Sequence, residues 1–270
     1  MDFTDTHCHI HEALQPDKAG TATQKLWAKA GNPNPNDIIA RAKTDGVNRM
    51  VCVGTTLADS ELAVQFVQDR PSCWASIGIH PHEAKDHLEG EIWRQFASLA
   101  TEPKVVAVGE CGLDYYYEHS PKKAQADILR RQLELALTHD LPMIFHVRDA
   151  FADFWKIFDE YEGVRGVIHS FTAGQKELDE VLARGLHVGL NGIMTFTKSE
   201  AQSAAAKAVP LERMLLETDA PFLTPNPYRG TICEPKHVRI TADFLAQIRQ
   251  EPLEIIARAT TQNAKQLFKI

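Results

Sequence analysis

The sequence has no apolar run long enough to cross a membrane. None of its apolar stretches approaches the roughly 18 to 20 consecutive residues that a transmembrane helix needs. The first residues, from Met1 to Asp5, contain neither the basic segment nor the apolar segment of a signal peptide. We therefore predict an unsecreted, cytoplasmic protein with no membrane partner.

Cysteine is scarce and shows no pairing pattern. The five cysteines are scattered, and no two are spaced as CxxC, which argues against both a disulfide framework and a zinc knuckle. Glycine and proline are also limited, at 15 and 14 of 270 residues, while 44% of residues are hydrophobic and 24% are charged. This composition excludes collagen-like and disordered chains and predicts a globular protein in a reducing compartment.

The chain lacks an excess of basic residues. Its 29 Lys and Arg stand against 36 Asp and Glu, which gives a formal net charge of −7. Because extended binding to a nucleic-acid backbone needs clustered Lys and Arg, this balance argues against a broad basic face. A DNA substrate would therefore be bound locally, by metal ions and a few cationic side chains.

The sequence does contain a repeated unit of a strand followed by a helix. Eight short apolar runs rich in β-branched residues recur, and the segments between them have helical spacing. These intervals are too long for hairpins but suit crossover helices between parallel strands. Eight such units predict a (β/α)8 TIM barrel formed as one domain by residues 1–270, with a doubly wound open sheet as the alternative. The predicted strands are 3–7, 49–53, 74–79, 105–109, 143–147, 166–169, 187–190 and 214–217.

One interval is longer than the others. Residues 16–37 contain several helix-breaking prolines and glycines and predict an inserted loop before a helix near 37–43. On a barrel this loop would lie over the mouth. There it would be either a lid or a surface excursion without a role in the site.

Histidines and carboxylates recur at the ends of the predicted strands. His7 and His9 alternate on the first strand, so both rings project to the same side as in an HxH metal clamp. In a parallel barrel the carboxyl ends of all strands meet at one mouth, where side chains distant in sequence converge. Four imidazoles and two carboxylates can hold two divalent ions if one carboxylate bridges them. The six candidate ligands are His7, His9, Glu110, His146, His169 and Asp219.

Six motifs follow one another along the chain: TDTHCH from Thr4, IGIHPH from Ile77, VGECGLDY from Val108, HVRDA from His146, HSFTAG from His169 and LETDAPFL from Leu216. Together they resemble the TatD family of metal-dependent hydrolases, within the amidohydrolase-like superfamily. They occur in order through nearly the whole chain, so the resemblance is specific at the family level. Residues 16–37 are longer than we expect in the family and 191–196 match it loosely, which leaves the substrate range open.

The resemblance implies a metal-bearing TIM barrel with deoxyribonuclease activity and two divalent ions, Mg²⁺ or Mn²⁺, with Zn²⁺ as an alternative. It also implies a role for each candidate ligand. Glu110 bridges the two ions, and Asp219 is a ligand that also handles the proton of the attacking water, so both are candidate catalytic residues. The histidines divide in chain order, with His7 and His9 on one ion and His146 and His169 on the other.

Two further residues are predicted to bind substrate. His80 resembles the family's additional histidine beside the metals. Arg148 lies two positions beyond His146, on the same side of an extended strand, where it could reach a phosphate. The alternative for Arg148 is a salt bridge at the start of the next helix, with Asp149 or Asp153.

Other residues near the candidate ligands receive more ordinary interpretations. The three tyrosines at 115–117 follow the fourth strand, and we interpret them as loop packing in preference to base stacking. Glu217 shares the parity of Asp219 and is expected to orient a ligand. Cys8 and Cys111 are each adjacent in sequence to a candidate ligand on a strand, so their side chains should point to the opposite side. We therefore expect both thiols to have a packing role.

These patterns leave two enzymatic functions open. The first is a metal-dependent phosphodiesterase acting on DNA, as a 3′-5′ exonuclease on single-stranded or frayed ends of a substrate bound by a monomer. The alternative is an amidohydrolase-type acyl or amide hydrolase, such as a D-aminoacyl-tRNA deacylase. Binuclear enzymes of that type commonly bridge their metals with a carboxylated lysine, so Glu110 favours the first. A noncatalytic binding module would have lost ligands, whereas all six are present.

Overall fold

A computed structural model describes residues 1–14, 20–88 and 90–270. All eight predicted strands are present, and they are neighbours in chain order within one sheet. Their boundaries differ from the predicted ones by a few residues, most of all in the fourth. The strands are β1 Phe3–Cys8, β2 Val47–Val53, β3 Cys73–Ile77, β4 Val105–Asp114, β5 Met143–Arg148, β6 Gly166–Ile168, β7 His187–Leu190 and β8 Met214–Leu216.

Helices alternate with the strands, which confirms the predicted (β/α)8 fold class. In the fifth helix Leu129 and Leu133 are buried while Glu134 is exposed, as the helical spacing predicts. The described helices are α1 Ala22–Lys29, α2 Pro35–Thr44, α3 Leu57–Val67, α4 Glu91–Leu99, α5 Lys122–Thr138, α6 Phe151–Phe158, α7 Gln175–Ala183, α8 Glu200–Ala208, α9 Val238–Arg249 and α10 Leu253–Phe268. None of these helices is long and apolar enough to span a bilayer.

The contacts within the chain define two compact units. The first comprises Met1–Cys52 and Ser170–Gln266, and the second comprises Val53–His169 and Leu267–Ile270. In the first unit β1 pairs in parallel with β2, β7 pairs with β8, and an isolated bridge joins Cys8 to Ala220. In the second unit β3, β4, β5 and β6 are parallel neighbours. The single domain expected over the whole chain stays a prediction.

The inserted loop predicted at 16–37 is only partly described, because 16–19 lie outside the described residues. In the remainder, the prediction of a loop without a helix is wrong, since α1 occupies eight residues there. This helix begins at a capping box. The Thr21 side chain accepts a hydrogen bond from the Gln24 amide, and the Gln24 side chain accepts one from the Thr21 amide.

The fourth strand continues past its predicted end at residue 109 and reaches Asp114. Its register with β5 shifts between Val108 and Cys111, after which the two strands pair closely. Gly112 has a φ of +144°, and a Cβ atom there would collide with the carbonyl oxygen of His146. Glycine at this position therefore permits the close approach that extends the strand, instead of ending it.

The five cysteines are buried thiols that form no disulfide. The Cys8 thiol donates to the Val51 carbonyl at 3.4 Å, and the Cys111 thiol lies 3.6 Å from the Ile144 carbonyl. Burial, with the nearby charge of Glu110, raises the pKa of Cys111 well above its usual range. Both thiols lie against neighbouring strands, in agreement with the packing role predicted for them.

Candidate metal centre

Three predicted ligands meet in the first unit. The Nε2 atoms of His7 and His9 lie 3.3 Å apart, and both side chains are buried. The Oδ1 atom of Asp219, just after β8, lies 3.6 Å from the first of these nitrogens and 3.4 Å from the second. We call His7, His9 and Asp219 the first ligand cluster.

The spacing of these three atoms is suited to ligands of one divalent ion. Nitrogen and oxygen ligands lie about 2.0 to 2.2 Å from such an ion, so neighbouring ligand atoms are about 3.0 to 3.5 Å apart. Two imidazoles and a carboxylate that converge on one point can all present lone pairs to it, and a cation there would coordinate all three. The donor set of the first ligand cluster therefore fits a divalent metal.

A buried carboxylate, Asp5, holds the backbone on both sides of the first ligand cluster. It accepts hydrogen bonds from the Thr218 amide at 2.9 Å, the Thr218 hydroxyl at 2.6 Å and the His7 amide at 3.3 Å. Burial raises the pKa of Asp5 well above its usual range, with a further contribution from Glu217, although the hydrogen bonds oppose this shift. Asp219 has a φ of +61°, which aspartate tolerates better than most residues, and its amide donates to the His7 carbonyl at 2.8 Å.

The first ligand cluster is also contacted by α1, the helix that replaces the predicted loop. The indole Nε1 of Trp27 donates a hydrogen bond to the backbone carbonyl of His9 at 3.1 Å, and the tryptophan is fully buried. The hydroxyl of Thr21 donates to the carboxylate of Glu12, in the 3₁₀ turn after β1. This helix therefore supports the backbone of a predicted ligand.

Glu217 is buried and holds the chain segments that follow β6 and β7. Its Oε1 atom accepts hydrogen bonds from the Ser170 amide at 2.6 Å and from the Asn191 side chain at 3.2 Å. A Cβ atom on Gly189 would collide with the same carboxylate, so glycine makes room for it. The role in orienting a metal ligand that the sequence suggests for Glu217 stays a prediction.

A second group of predicted residues surrounds one carboxylate oxygen in the second unit. The Oε1 atom of Glu110, on β4, lies 2.8 Å from His146 Nδ1, 3.1 Å from His169 Nε2 and 3.4 Å from His80 Nε2. All four side chains are largely buried. We call Glu110, His146 and His169 the second ligand cluster. A carboxylate among imidazoles is a donor set that suits borderline divalent cations.

Asp114, to which the sequence analysis gave no role, supports the second ligand cluster. Its fully buried carboxylate lies 3.0 Å from the Nε2 atoms of both His146 and His82, and it accepts the Tyr116 and Tyr117 amides at 2.9 and 3.0 Å. Although burial opposes the shift, these hydrogen bonds hold the pKa of Asp114 well below its usual range. A carboxylate on one ring nitrogen fixes the direction of the other, as in many metal-binding histidines.

The pKa values of His146 and His80 shift in opposite directions. Burial lowers both, but in His146 the hydrogen bonds with Asp114 and Glu110 prevail and raise the pKa. In His80 burial prevails over the attraction of Glu110 and lowers the pKa to about 4. His80 is therefore neutral near pH 7. Because its Nδ1 accepts the His82 amide at 3.1 Å, its proton lies on Nε2, the nitrogen directed at Glu110.

The predicted substrate-binding residue Arg148 lies on two tyrosine rings. Its guanidinium carbon is 4.0 Å from the ring centre of Tyr116 and 4.7 Å from that of Tyr117. The alternative, a salt bridge at the start of α6, is not found among the described residues. Asp153 in that helix pairs with Lys156 at 2.8 Å instead.

The structure thus brings the predicted ligands together within each unit, and it adds residues that the sequence analysis missed. The sequence could have indicated Asp114, because it lies an even number of residues after Glu110 and therefore faces the same side of the strand. Asp5 likewise shares the parity of His7. No sequence feature indicated Trp27, because its contact with the His9 carbonyl depends on α1, which the sequence does not predict.

Comparison with known proteins places these features in a wider context. A family model described as TatD related DNase matches residues 4–269. The uncharacterized metal-dependent hydrolase YabD of Bacillus subtilis is 35% identical over 269 residues, 98% of each chain. The 3′-5′ ssDNA/RNA exonuclease TatD of Citrobacter rodentium is 34% identical over 87% of this chain and 92% of that one. The crystal structure of the TatD homologue YJJV from Escherichia coli matches with a TM-score of 0.84 at 25% identity, covering 99% and 98% of the two chains.

Proposed function

Because the chain belongs to the TatD-related DNase family and is a metal-dependent hydrolase, we propose that it hydrolyses phosphodiester bonds of DNA from the 3′ end of single-stranded or frayed strands. The family and the enzyme class agree with those predicted from the sequence. The observation that carries the proposal is the presence of two imidazole–carboxylate clusters at the carboxyl ends of strands. The similarity to an exonuclease of single-stranded DNA and RNA supports the choice of substrate and polarity.

In this proposal the two ligand clusters hold two divalent ions, Mg²⁺ or Mn²⁺, with Zn²⁺ as the alternative. His7, His9 and Asp219 would hold one ion, and Glu110, His146 and His169 would hold the other. Bound divalent ions make water more acidic and stabilise negative charge on phosphoryl oxygens. The donor set fits this role because it contains imidazole and carboxylate groups and no thiolate.

The side chains around the ions would then transfer the proton and contact the phosphate. Asp219, whose side chain is 18% exposed, accepts the proton of the attacking water at Oδ1. The neutral His80 donates a hydrogen bond from Nε2 to a phosphate oxygen, since its proton lies on that atom. Arg148 contacts a phosphate with its guanidinium group, whose planar geometry suits phosphate oxygens.

The test compares linear with circular single-stranded DNA of the same sequence, in the presence of Mn²⁺. We expect the linear strand to be degraded from its 3′ end and the circular strand to persist. A strand protected at its 3′ terminus by phosphorothioate linkages should also persist, whereas 5′ protection should have no effect. Equal initial rates on linear and circular DNA would contradict the end-directed reaction.

The same preparation should be assayed on D-aminoacyl-tRNA, which tests the alternative function. Deacylation without any cleavage of DNA would replace the nuclease proposal with the acyl hydrolase. Cleavage of DNA without deacylation would support the nuclease.

A further inference from the structure

Two exposed tyrosines follow β4 and have no role in the proposed reaction. Tyr116 and Tyr117 are 58% and 50% exposed, and their rings meet edge to face with centres 4.8 Å apart. The packing role predicted for the three tyrosines therefore fits only Tyr115. Its hydroxyl donates to Asp153 at 3.2 Å, and the Lys122 ammonium lies 4.0 Å from its ring centre. The other two rings remain available to a ligand.

The backbone and rings of this pair are held in place by several contacts. The buried Asp114 carboxylate accepts both backbone amides, and the Arg148 guanidinium lies on both rings. The ring of Tyr117 is also nearly parallel to that of His119, with centres 5.7 Å apart and planes at 11°. Because the rings are already ordered, a ligand that stacks on them loses little additional side-chain entropy.

A series of ring contacts connects the tyrosines to the second ligand cluster. Tyr117 meets His82 edge to face at 5.5 Å, His82 meets His80 at 4.3 Å, and His80 meets His146 at 4.6 Å. Only one imidazole therefore separates Tyr117 from His80, to which we assign the phosphate hydrogen bond. A nucleotide next to the scissile phosphate would have its base within reach of the tyrosines.

We propose that Tyr116, Tyr117 and Arg148 form a subsite that stacks one nucleobase of a single strand beside the scissile phosphate. This proposal rests on the proposed nuclease function and specifies how that site selects its substrate. Tyr116, the more exposed ring, receives the base, Tyr117 orients it, and Arg148 offers its charge to the adjoining phosphate.

Such a subsite would distinguish single-stranded from double-stranded DNA and would accept any base sequence. Every base has a π face, so stacking on an aromatic ring does not require a particular base. In a duplex each base face is covered by its neighbours and the base edges are paired, so an internal base cannot reach Tyr116 without being unstacked. A frayed or single-stranded end meets this requirement at little cost.

The first test measures affinity for a 5′-labelled oligothymidylate by fluorescence anisotropy with Mn²⁺, in an Asp219→Asn background to prevent turnover. Replacing Tyr116 with alanine should raise Kd by about 5- to 150-fold, the range found when one stacked base loses its aromatic partner. Tyr116→Phe retains the ring and should bind within about twofold of the parent. Tyr161→Ala, three residues after the end of α6, is the matched control and should leave Kd unchanged. An unchanged Kd in Tyr116→Ala would overturn the proposal.

The second test alters the ligand and compares the parent with Tyr116→Ala. Strands with a single abasic nucleotide at successive positions from the 3′ end should lose affinity most at one position, and Tyr116→Ala should abolish that positional loss. The same loss with and without Tyr116 would overturn the subsite. Failure of the parent enzyme to cleave any single strand would refute the nuclease proposal, whereas normal cleavage with no effect of Tyr116 would refute the subsite alone.

Discussion

At the scale of single residues, the two aspartates Asp219 and Asp114 both contact imidazoles but have different consequences. Asp219 is partly exposed beside the nitrogens of His7 and His9, so water reaches it. Asp114 is fully buried and accepts hydrogen bonds from groups around it. The first is suited to proton transfer, and the second to holding His146 in one orientation.

Asp219→Asn should lower kcat on single-stranded DNA by about 10²- to 10⁴-fold, the usual contribution of general acid–base catalysis. The amide retains the size of the side chain and one ligand oxygen but cannot accept the proton. Steady-state kinetics with the metal content measured in parallel would check this, with the exposed Asp127→Asn on α5 as control. A near-native kcat with metal retained would move the proton to Glu217 or His80.

Asp114→Asn should weaken metal binding at the second ligand cluster by about 10- to 100-fold, because His146 loses the negative charge that orients its ring and raises its basicity. Titration calorimetry with Mn²⁺ should show two ions per chain in the parent and a weakened second ion in the variant. Asp153→Asn, whose carboxylate accepts the Tyr115 hydroxyl, is the control. Two Mn²⁺ ions bound with parental affinity in Asp114→Asn would show that Asp114 has no such role.

Sequence alone could identify the residues whose position on a strand determines their direction. Parity predicts that His7 and His9 share a side, and their nitrogens do lie 3.3 Å apart. It could not identify the partners of Asp114, because these come from the loops after β3 and β4 and from β5, and such pairs depend on strand register. The alternation of side chains along a strand therefore predicts which residues supply ligand atoms better than it predicts which residues hold those ligands in position.

At the scale of elements, α1 shows that glycines and prolines in a segment do not exclude a helix between them. Gly20, Gly31 and the prolines near residue 35 predict interruptions, but the glycines lie outside α1 and Pro35 begins α2. Proline at the first helical position costs no hydrogen bond, and Gly31 has a φ of +85°, which suits a helix end. The predicted strands were more reliable because the repeated apolar runs reflect burial on both faces of a parallel sheet.

Trp27→Phe should lower the free energy of unfolding by about 1 to 3 kcal/mol, through the lost hydrogen bond to the His9 carbonyl and the smaller apolar volume. Urea titration monitored by circular dichroism would measure the change. Trp93→Phe is a suitable control, because the Trp93 indole nitrogen has no hydrogen-bond partner among the described residues. An equal loss in both variants would mean that the contact with His9 contributes nothing.

At the scale of the whole molecule, the net charge of −7 limits how the chain can bind a polyanion. A negative net charge provides no long-range attraction to DNA, so in the proposed nuclease the affinity would come from the few phosphates that meet the ions and residues such as Arg148. In the proposed subsite, stacking on Tyr116 and Tyr117 would add affinity that does not depend on charge. Binding of this kind should depend on the shape of the strand end more than on the length of the strand.

We expect the logarithm of the binding constant for single-stranded DNA to fall with the logarithm of salt concentration at a slope of about −1 to −3. Each phosphate neutralised on a single strand contributes roughly −0.7. Anisotropy titrations over a series of KCl concentrations would give the slope. A slope steeper than about −5 would reveal an extended basic contact and contradict local binding.

Because all five cysteines are buried, the reaction of each thiol can report when the segment around it opens. Cys8, Cys52 and Cys233 lie in the first unit, and Cys73 and Cys111 lie in the second. Because alkylation requires an accessible thiolate, each thiol can react only when the segment around it opens. Mass spectrometry of the alkylated peptides would therefore time the opening of each unit separately, without an engineered label.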